Sequence, residues 1–211
     1  MLKAERELGI KATYNVVGSI LPDVRSRIEL DGHALGFHSY DHPVSEVPNV
    51  RQRLWKKLTN RSSSNGSAAH SVDQLGKCRD VDYRIKGYRP PQSRITSDLA
   101  DSKLLFHNFE WLASSAYSLN IQAPLMQNRI VRLPILFDDF DMYHLQLDYK
   151  AWEAMALSHI ERNDFVAFSL HDCYGQYWLP HYKRFLEKIS SLGTFKTLDE
   201  VAADVTLESA I

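Results

Sequence analysis

The chain is poor in cysteine, has no long apolar run and carries almost no net charge, and each of these absences excludes a class of protein. Cys78 and Cys173 are the only cysteines among 211 residues. They form no C-x-x-C pattern, so a zinc ribbon, a dithiol redox motif and a disulfide framework are all excluded. Two reduced thiols in a cytosolic protein are expected. No stretch approaches the ~18 apolar residues that a membrane span requires. The opening MLKAERELGIKATYNVVG scatters charges where a secretory leader would carry an apolar core, so a cytoplasmic location is expected. Lys and Arg number 25 against 26 Asp and Glu, which is far from the basic excess of a nucleic-acid surface. No internal repeat and no dividing linker is visible, so residues 1–211 are expected to form one domain.

What the chain has is an alternation of short β-rich runs and helical segments. KATYNVV, ALGFHSY, RIKGYRP, KLLFHNFEW, RIVRLPILF and DFVAFSLHD are the strand candidates. The segments PDVRSRIELDG, NVRQRLWKKLTN, YKAWEAMALSHIE and PHYKRFLEKISSLG have helical spacing, and SSSNGSAA is a polar loop. TLDEVAADV is a last helix, with Thr197 and Glu200 at capping-box spacing. About six strand–helix alternations predict an α/β fold with a mostly parallel sheet, doubly wound or closed as a barrel.

In parallel α/β folds the reactive groups gather where strands end. Three strand candidates end in unusual residues. One gives His38, Ser39 and His42; a second gives Arg89 before Pro90 and Pro91; a third gives Leu170, His171 and Asp172. Imidazoles four residues apart across a turn suit one divalent ion, though H-x-x-x-H alone more often marks two unrelated surface histidines. His171 suits a general acid or base, or else a hydrogen-bonded structural histidine. Arg89 suits a bidentate carboxylate clamp, or else a surface ion pair. Asp138, Asp139 and Asp141 are read as a solvated acidic loop.

The four segments GIKATYNVVG, GHALGFHSYDHP, GYRPPQSR and FSLHD, in that order from about residue 8 to residue 201, resemble the polysaccharide deacetylases with a NodB homology domain, carbohydrate esterase family 4. The resemblance implies a distorted (β/α) barrel and metal-assisted hydrolysis of acetyl groups on acetylated sugars or glycans. It implies that His38 and His42 hold the metal, usually zinc, with Ser39 supporting their loop. Arg89 would orient the catalytic base, Leu170 and Pro90 would line the substrate pocket, and His171 would protonate the leaving amine.

The family's first motif is a strand ending in two adjacent aspartates, one the base and one the third metal ligand. No such pair precedes GIKATYNVVG, and Asp138–Asp139 comes far too late. Ser93 and Ala113 also stand where many relatives carry glycine and aspartate. An N-terminally shortened copy lacking its first strand is therefore expected, with weak metal binding and self-association through exposed sheet edges. Two functions stay open: a carbohydrate deacetylase, or a catalytically inactive NodB-like domain with a sugar-binding or structural role.

Overall fold

A computed structural model of the chain describes residues 1–42, 72–95 and 99–209. The expected helix NVRQRLWKKLTN and the polar loop SSSNGSAA lie outside these residues.

Helix α1 (Leu2–Leu8) ends at Gly9, whose φ of 65° is the left-handed conformation that glycine adopts without a Cβ penalty. Strand β1 (Thr13–Val16) follows, then α2 (Leu21–Leu30), β2 (Ala34–Phe37), α3 (Val72–Val81) and the short β3 (Gly87–Tyr88). Next come α4 (Asp101–Phe106), β4 (Trp111–Ser115), β5 (Leu125–Gln127) and β6 (Ile130–Asp138). The chain continues through α5 (Phe140–His144), α6 (Tyr149–Arg162), β7 (Ala167–Ser169), α7 (Tyr182–Ile189) and α8 (Leu198–Glu208).

Two readings of the sequence change. KLLFHNFEW is not a strand: its first half is helix α4, and the strand begins at Trp111. Leu104 packs in the core from the helix, Asn108 turns at φ 56°, and only then does the chain extend. A short apolar run fits either element until its neighbours decide. The acidic stretch after β6 is not a loop either, because residues 140–144 coil into α5.

The described strands form one seven-stranded sheet. Six run parallel in the order β1-β2-β3-β4-β6-β7, and β5 pairs antiparallel with the start of β6. The sheet curls into a half-barrel. β1 pairs only with β2 and β7 only with β6, so these two are the free edges of the parallel run. This is the α/β fold expected from the sequence, a distorted (β/α) barrel that, among the described strands, is open between β1 and β7.

Alternation along the strands divides the core. Leu112 and Ile130 face α2, α3 and α4, whereas Trp111, Ala113, Val131, Leu133 and Ile135 face α8. A third cluster packs α1, α6 and α7 beside β6 and β7. The indole of Trp111 lies across β3 and β2: a Cβ on Gly87 would sit 1.7 Å from it, and one on Gly36 2.8 Å. Only glycine lets the ring lie so close to the backbone. Asp199 of α8 accepts from its Nε1 at 2.6 Å, which ties the helix to that face.

Candidate active site

His38, Arg89, Asp139 and His171 all stand just beyond the C-terminal ends of parallel strands, β2, β3, β6 and β7 respectively. Parallel strands deliver their ends to one rim, so residues distant in sequence converge there.

The loop after β2 is tightly wound. Ser39 and His42 both have left-handed φ, 63° and 50°. Conformations of this kind in non-glycine residues cost about 1–3 kcal/mol each and persist where the surroundings enforce them. Ser39 is buried, and its Oγ accepts from the main-chain N–H of His42 at 3.0 Å. The turn folds His42 back until its ring centre is 4.9 Å from that of His38. His38 Nδ1 is 2.8 Å from the Arg89 carbonyl oxygen. A carbonyl only accepts, so Nδ1 carries the proton and Nε2 holds the free lone pair. Burial, reinforced by the charge of Arg89, pushes the His38 imidazole down to about 3. The ring is therefore neutral at neutral pH, the form that binds metal.

Two imidazoles bound tetrahedrally to one zinc at about 2.0–2.1 Å hold their ring centres roughly 5 Å apart. The 4.9 Å between the His38 and His42 ring centres is compatible with that spacing. Among the described residues, no group of three or more His, Cys, Asp or Glu side chains is placed to hold a metal ion.

Arg89 is buried, and its Nη2 donates to Ser93 Oγ at 3.1 Å and to Ser169 Oγ at 2.9 Å. The turn that follows passes through Gln92 and Ser93, both at positive φ. Ser93 thus keeps the left-handed conformation suited to glycine while adding a hydroxyl for the guanidinium. Burial lowers the pKa of Arg89, and the charges of Asp138 and Asp139 raise it. Its Nε is buried without a hydrogen-bond partner among the described residues. A buried charged donor left unpaired is costly, and it marks a place for an acceptor such as a carboxylate.

The acidic stretch after β6 departs most from the sequence reading. Asp139 is completely buried, not solvated. Its Oδ2 accepts from the main-chain N–H of His171 at 2.7 Å, and its Oδ1 lies 2.5 Å from His171 Nδ1. Both carboxylate oxygens therefore serve one histidine. The proton on Nδ1 faces the carboxylate and Nε2 faces outward, with the imidazole about one-third exposed. A register irregularity between Ile135 and Phe137 in β6 turns the strand just before this aspartate, as bulges do beside sites. Asp138 is half-buried beside it, the register partner of Ser169. Burial raises its pKa above the usual carboxylate range, while His171 and Arg89 oppose that rise. A buried Asp paired with a strand-end His leaves no spacing signal in sequence, because 32 positions separate the two.

Of the two residues expected to line the substrate pocket, Leu170 is half-buried at the rim and Pro90 is buried beneath its turn, so only Leu170 keeps surface to offer. Asp41 is exposed beside the histidine turn. A concavity of about 590 Å³ lies elsewhere, between α6 and α7 and lined by Tyr149, Glu153, His181 and Arg184 among others. It contains none of the groups described above.

No family model matches the chain, and no curated protein matches it. Solved structures do. A putative polysaccharide deacetylase from Mycobacterium smegmatis superposes with a TM-score of 0.68 at 14% identity, over 99% of this chain and 76% of that one. This is the polysaccharide deacetylase fold. The peptidoglycan deacetylase PdaC from Bacillus subtilis gives 0.56 at 16% identity, over 99% of this chain and 84% of its own. A family 4 acetyl xylan esterase from Clostridium thermocellum, in complex with a cobalt ion, gives 0.52 at 17%, over 94% of this chain and 80% of that one. The same fold with so few shared residues leaves the chemistry to be argued from the site itself.

Proposed function

We propose that the chain is a carbohydrate deacetylase domain acting on N-acetylated sugars through a divalent metal, zinc in the first instance. One observation carries the reading: the His171–Asp139 pair stands on the same rim as the His38–His42 pair, with the Arg89 carbonyl accepting from His38 and its guanidinium donating to Ser169 at the end of β7. A metal held by His38 and His42 would polarise the acetyl carbonyl and acidify a bound water. His171 takes a proton on Nε2 and delivers it to the departing amine, and Asp139 holds the ring oriented and stabilises its cationic form. Arg89 fixes a carboxylate through its free Nε. Asp138 is the carboxylate available beside Arg89 and His171, and burial raises its pKa, which makes it a stronger proton acceptor than a solvated aspartate. Leu170 gives the acetyl methyl group an apolar contact.

Acetate release tests this. With zinc or cobalt added, acetylated sugars should yield free acetate, and His171→Ala should abolish it. Activity confined to peptides or nucleobases would sink the reading. A second reading is favoured by the unpartnered Arg89 Nε: the domain binds acetylated glycans without hydrolysing them. Binding with no acetate under any metal would select it. We further propose that β1 and β7, the open edges, mediate self-association. No helix among the described residues is long and apolar enough to cross a membrane.

A further inference from the structure

Helices α6 and α7 run side by side in the same direction: Tyr149 meets His181 near their starts, and Lys188 reaches Glu153 further along. Between them lies the concavity of about 590 Å³, a volume in the range of pockets that take small organic ligands. The rings of Tyr149 and His181 stack in its wall at 4.0 Å and 24°. The carboxylates that line it are already engaged. Asp148 caps α6, accepting from the Ala151 N–H at 2.7 Å. Glu153 accepts from the Tyr149 hydroxyl at 2.9 Å and from Lys188 Nζ at 2.8 Å. Against burial, those hydrogen bonds and the charges of Lys188 and Arg184 hold the Glu153 carboxyl below its usual range. Lys150 of α6 and Arg184 of α7 are left over. Both line the concavity, and neither makes a hydrogen bond or an ion pair among the described residues.

We propose that this concavity binds a phosphorylated small molecule, with the phosphoryl group held between Lys150 and Arg184 and the organic part filling the space beside the Tyr149–His181 stack. The charge left over is positive, and it comes from two helices that face one space. A dianionic phosphoryl group meets both cations at once, and the guanidinium fork matches two of its oxygens. A bare ion would leave most of the volume to water, so the ligand carries an organic part. A cationic ligand would face Lys150 and Arg184 with Asp148 and Glu153 already engaged. None of these residues belongs to the strand-end rim, so the site stands whether or not the chain hydrolyses acetyl groups.

Calorimetric titration of the full chain with glucose 6-phosphate, AMP, inorganic phosphate, glucose and adenosine tests the site without any need for turnover. At least one of the two esters should bind one-to-one and more tightly than inorganic phosphate, and neither neutral compound should bind at the same concentrations. The tighter ester tells a sugar phosphate from a nucleotide as the source, and either supports the proposal. Arg184→Gln and Lys150→Gln should each weaken that ester roughly tenfold, as expected for one lost charge-assisted contact. Both side chains are exposed, so Tm should hold. Lys3→Gln, which removes an exposed charge on α1 outside the concavity, should change nothing. No saturable binding of either ester would overturn the site, as would ester affinity untouched by both Gln variants. Equal weakening by Lys3→Gln would reduce the binding to general charge attraction and overturn it too. Inorganic phosphate binding as tightly as the esters would make this an adventitious ion only, and the proposed ligand class would fall.

Discussion

His171 gives both its main-chain N–H and its ring N–H to one buried carboxylate, so the charge on Asp139 sets which ring nitrogen carries the proton. Replacing Asp139 by Asn exchanges an acceptor for a donor at the same place, and the ring must flip its proton to Nε2 to meet it. In the deacetylase reading, Asp139→Asn should lower the rate of acetate release by about 10²–10⁴-fold while metal binding is unchanged. Nitrogen NMR gives a check independent of turnover: the wild-type neutral ring should be protonated at Nδ1 and the variant at Nε2. A variant that keeps the Nδ1–H form with full activity would contradict the role. The metal pair makes a second prediction. With two imidazoles as its donors, cobalt or zinc should bind weakly, and His38→Ala should remove that binding in equilibrium dialysis. A tight one-to-one complex that survives His38→Ala would require donors other than this pair. The histidines, Arg89 and Leu170 were legible in the sequence because each ends a strand. Asp139 was not, because an acidic run looks the same whether it is solvated or buried.

Local chemistry at the level of elements was legible wherever it is carried by neighbours in sequence. The capping box at α8 is present as the sequence predicts: Thr197 Oγ1 accepts from the Glu200 N–H, and Glu200 accepts from the Thr197 N–H at 2.7 Å. These bonds hold the Glu200 carboxyl below its usual range. The unfolded chain therefore takes up the proton first as the pH falls. The stabilising share of Glu200 is full above the ordinary carboxylate pKa and is lost as the pH falls through the lower folded value. Thr197→Ala should cost about 1 kcal/mol, lower Tm by about 2–4 °C and flatten that acid limb. Where an element depends on distant partners, the sequence was silent. β5 is only three residues long, and its hairpin to β6 turns through Asn128 and Arg129, both at positive φ. An arginine where such turns favour glycine hides the hairpin. The glycines of β2 and β3 are likewise explained only once Trp111 is seen lying over them. Gly87→Ala should destabilise by about 1–3 kcal/mol or more through overpacking, read as a fall in Tm; an unchanged Tm would mean that the indole has room to move.

For the molecule as a whole, the proposed self-association turns on the opening between β1 and β7. Residues of the inner strands, such as Tyr88 and Trp111 to Ala113, are buried, whereas Tyr14, Asn15, Ala167 and Phe168 on the outer ones remain half-exposed. Beside this opening, α1 packs on α7, and Glu5 accepts from the hydroxyls of Tyr14 and Tyr182. Among the described residues, no strand pairs with the outer side of β1. Along β1 the carbonyls of Ala12 and Val16 accept from β2. Successive residues of a strand point their N–H and C=O groups to opposite sides, so Thr13 and Asn15 turn theirs toward the opening. Unpaired groups of this kind on a half-apolar edge recruit strands from other chains. The chain should therefore associate as its concentration rises, as followed by sedimentation velocity. Asn15→Pro is the discriminating variant. It removes an edge N–H that makes no bond in the sheet, at a position where an edge strand tolerates proline, and the Oδ1 it deletes has no hydrogen-bond partner among the described residues. Association should weaken with little change in Tm. A wild-type chain that stays monomeric at all concentrations would show that the edges are closed in solution. Association that persists unchanged in Asn15→Pro would move the contact away from β1, to the β7 edge.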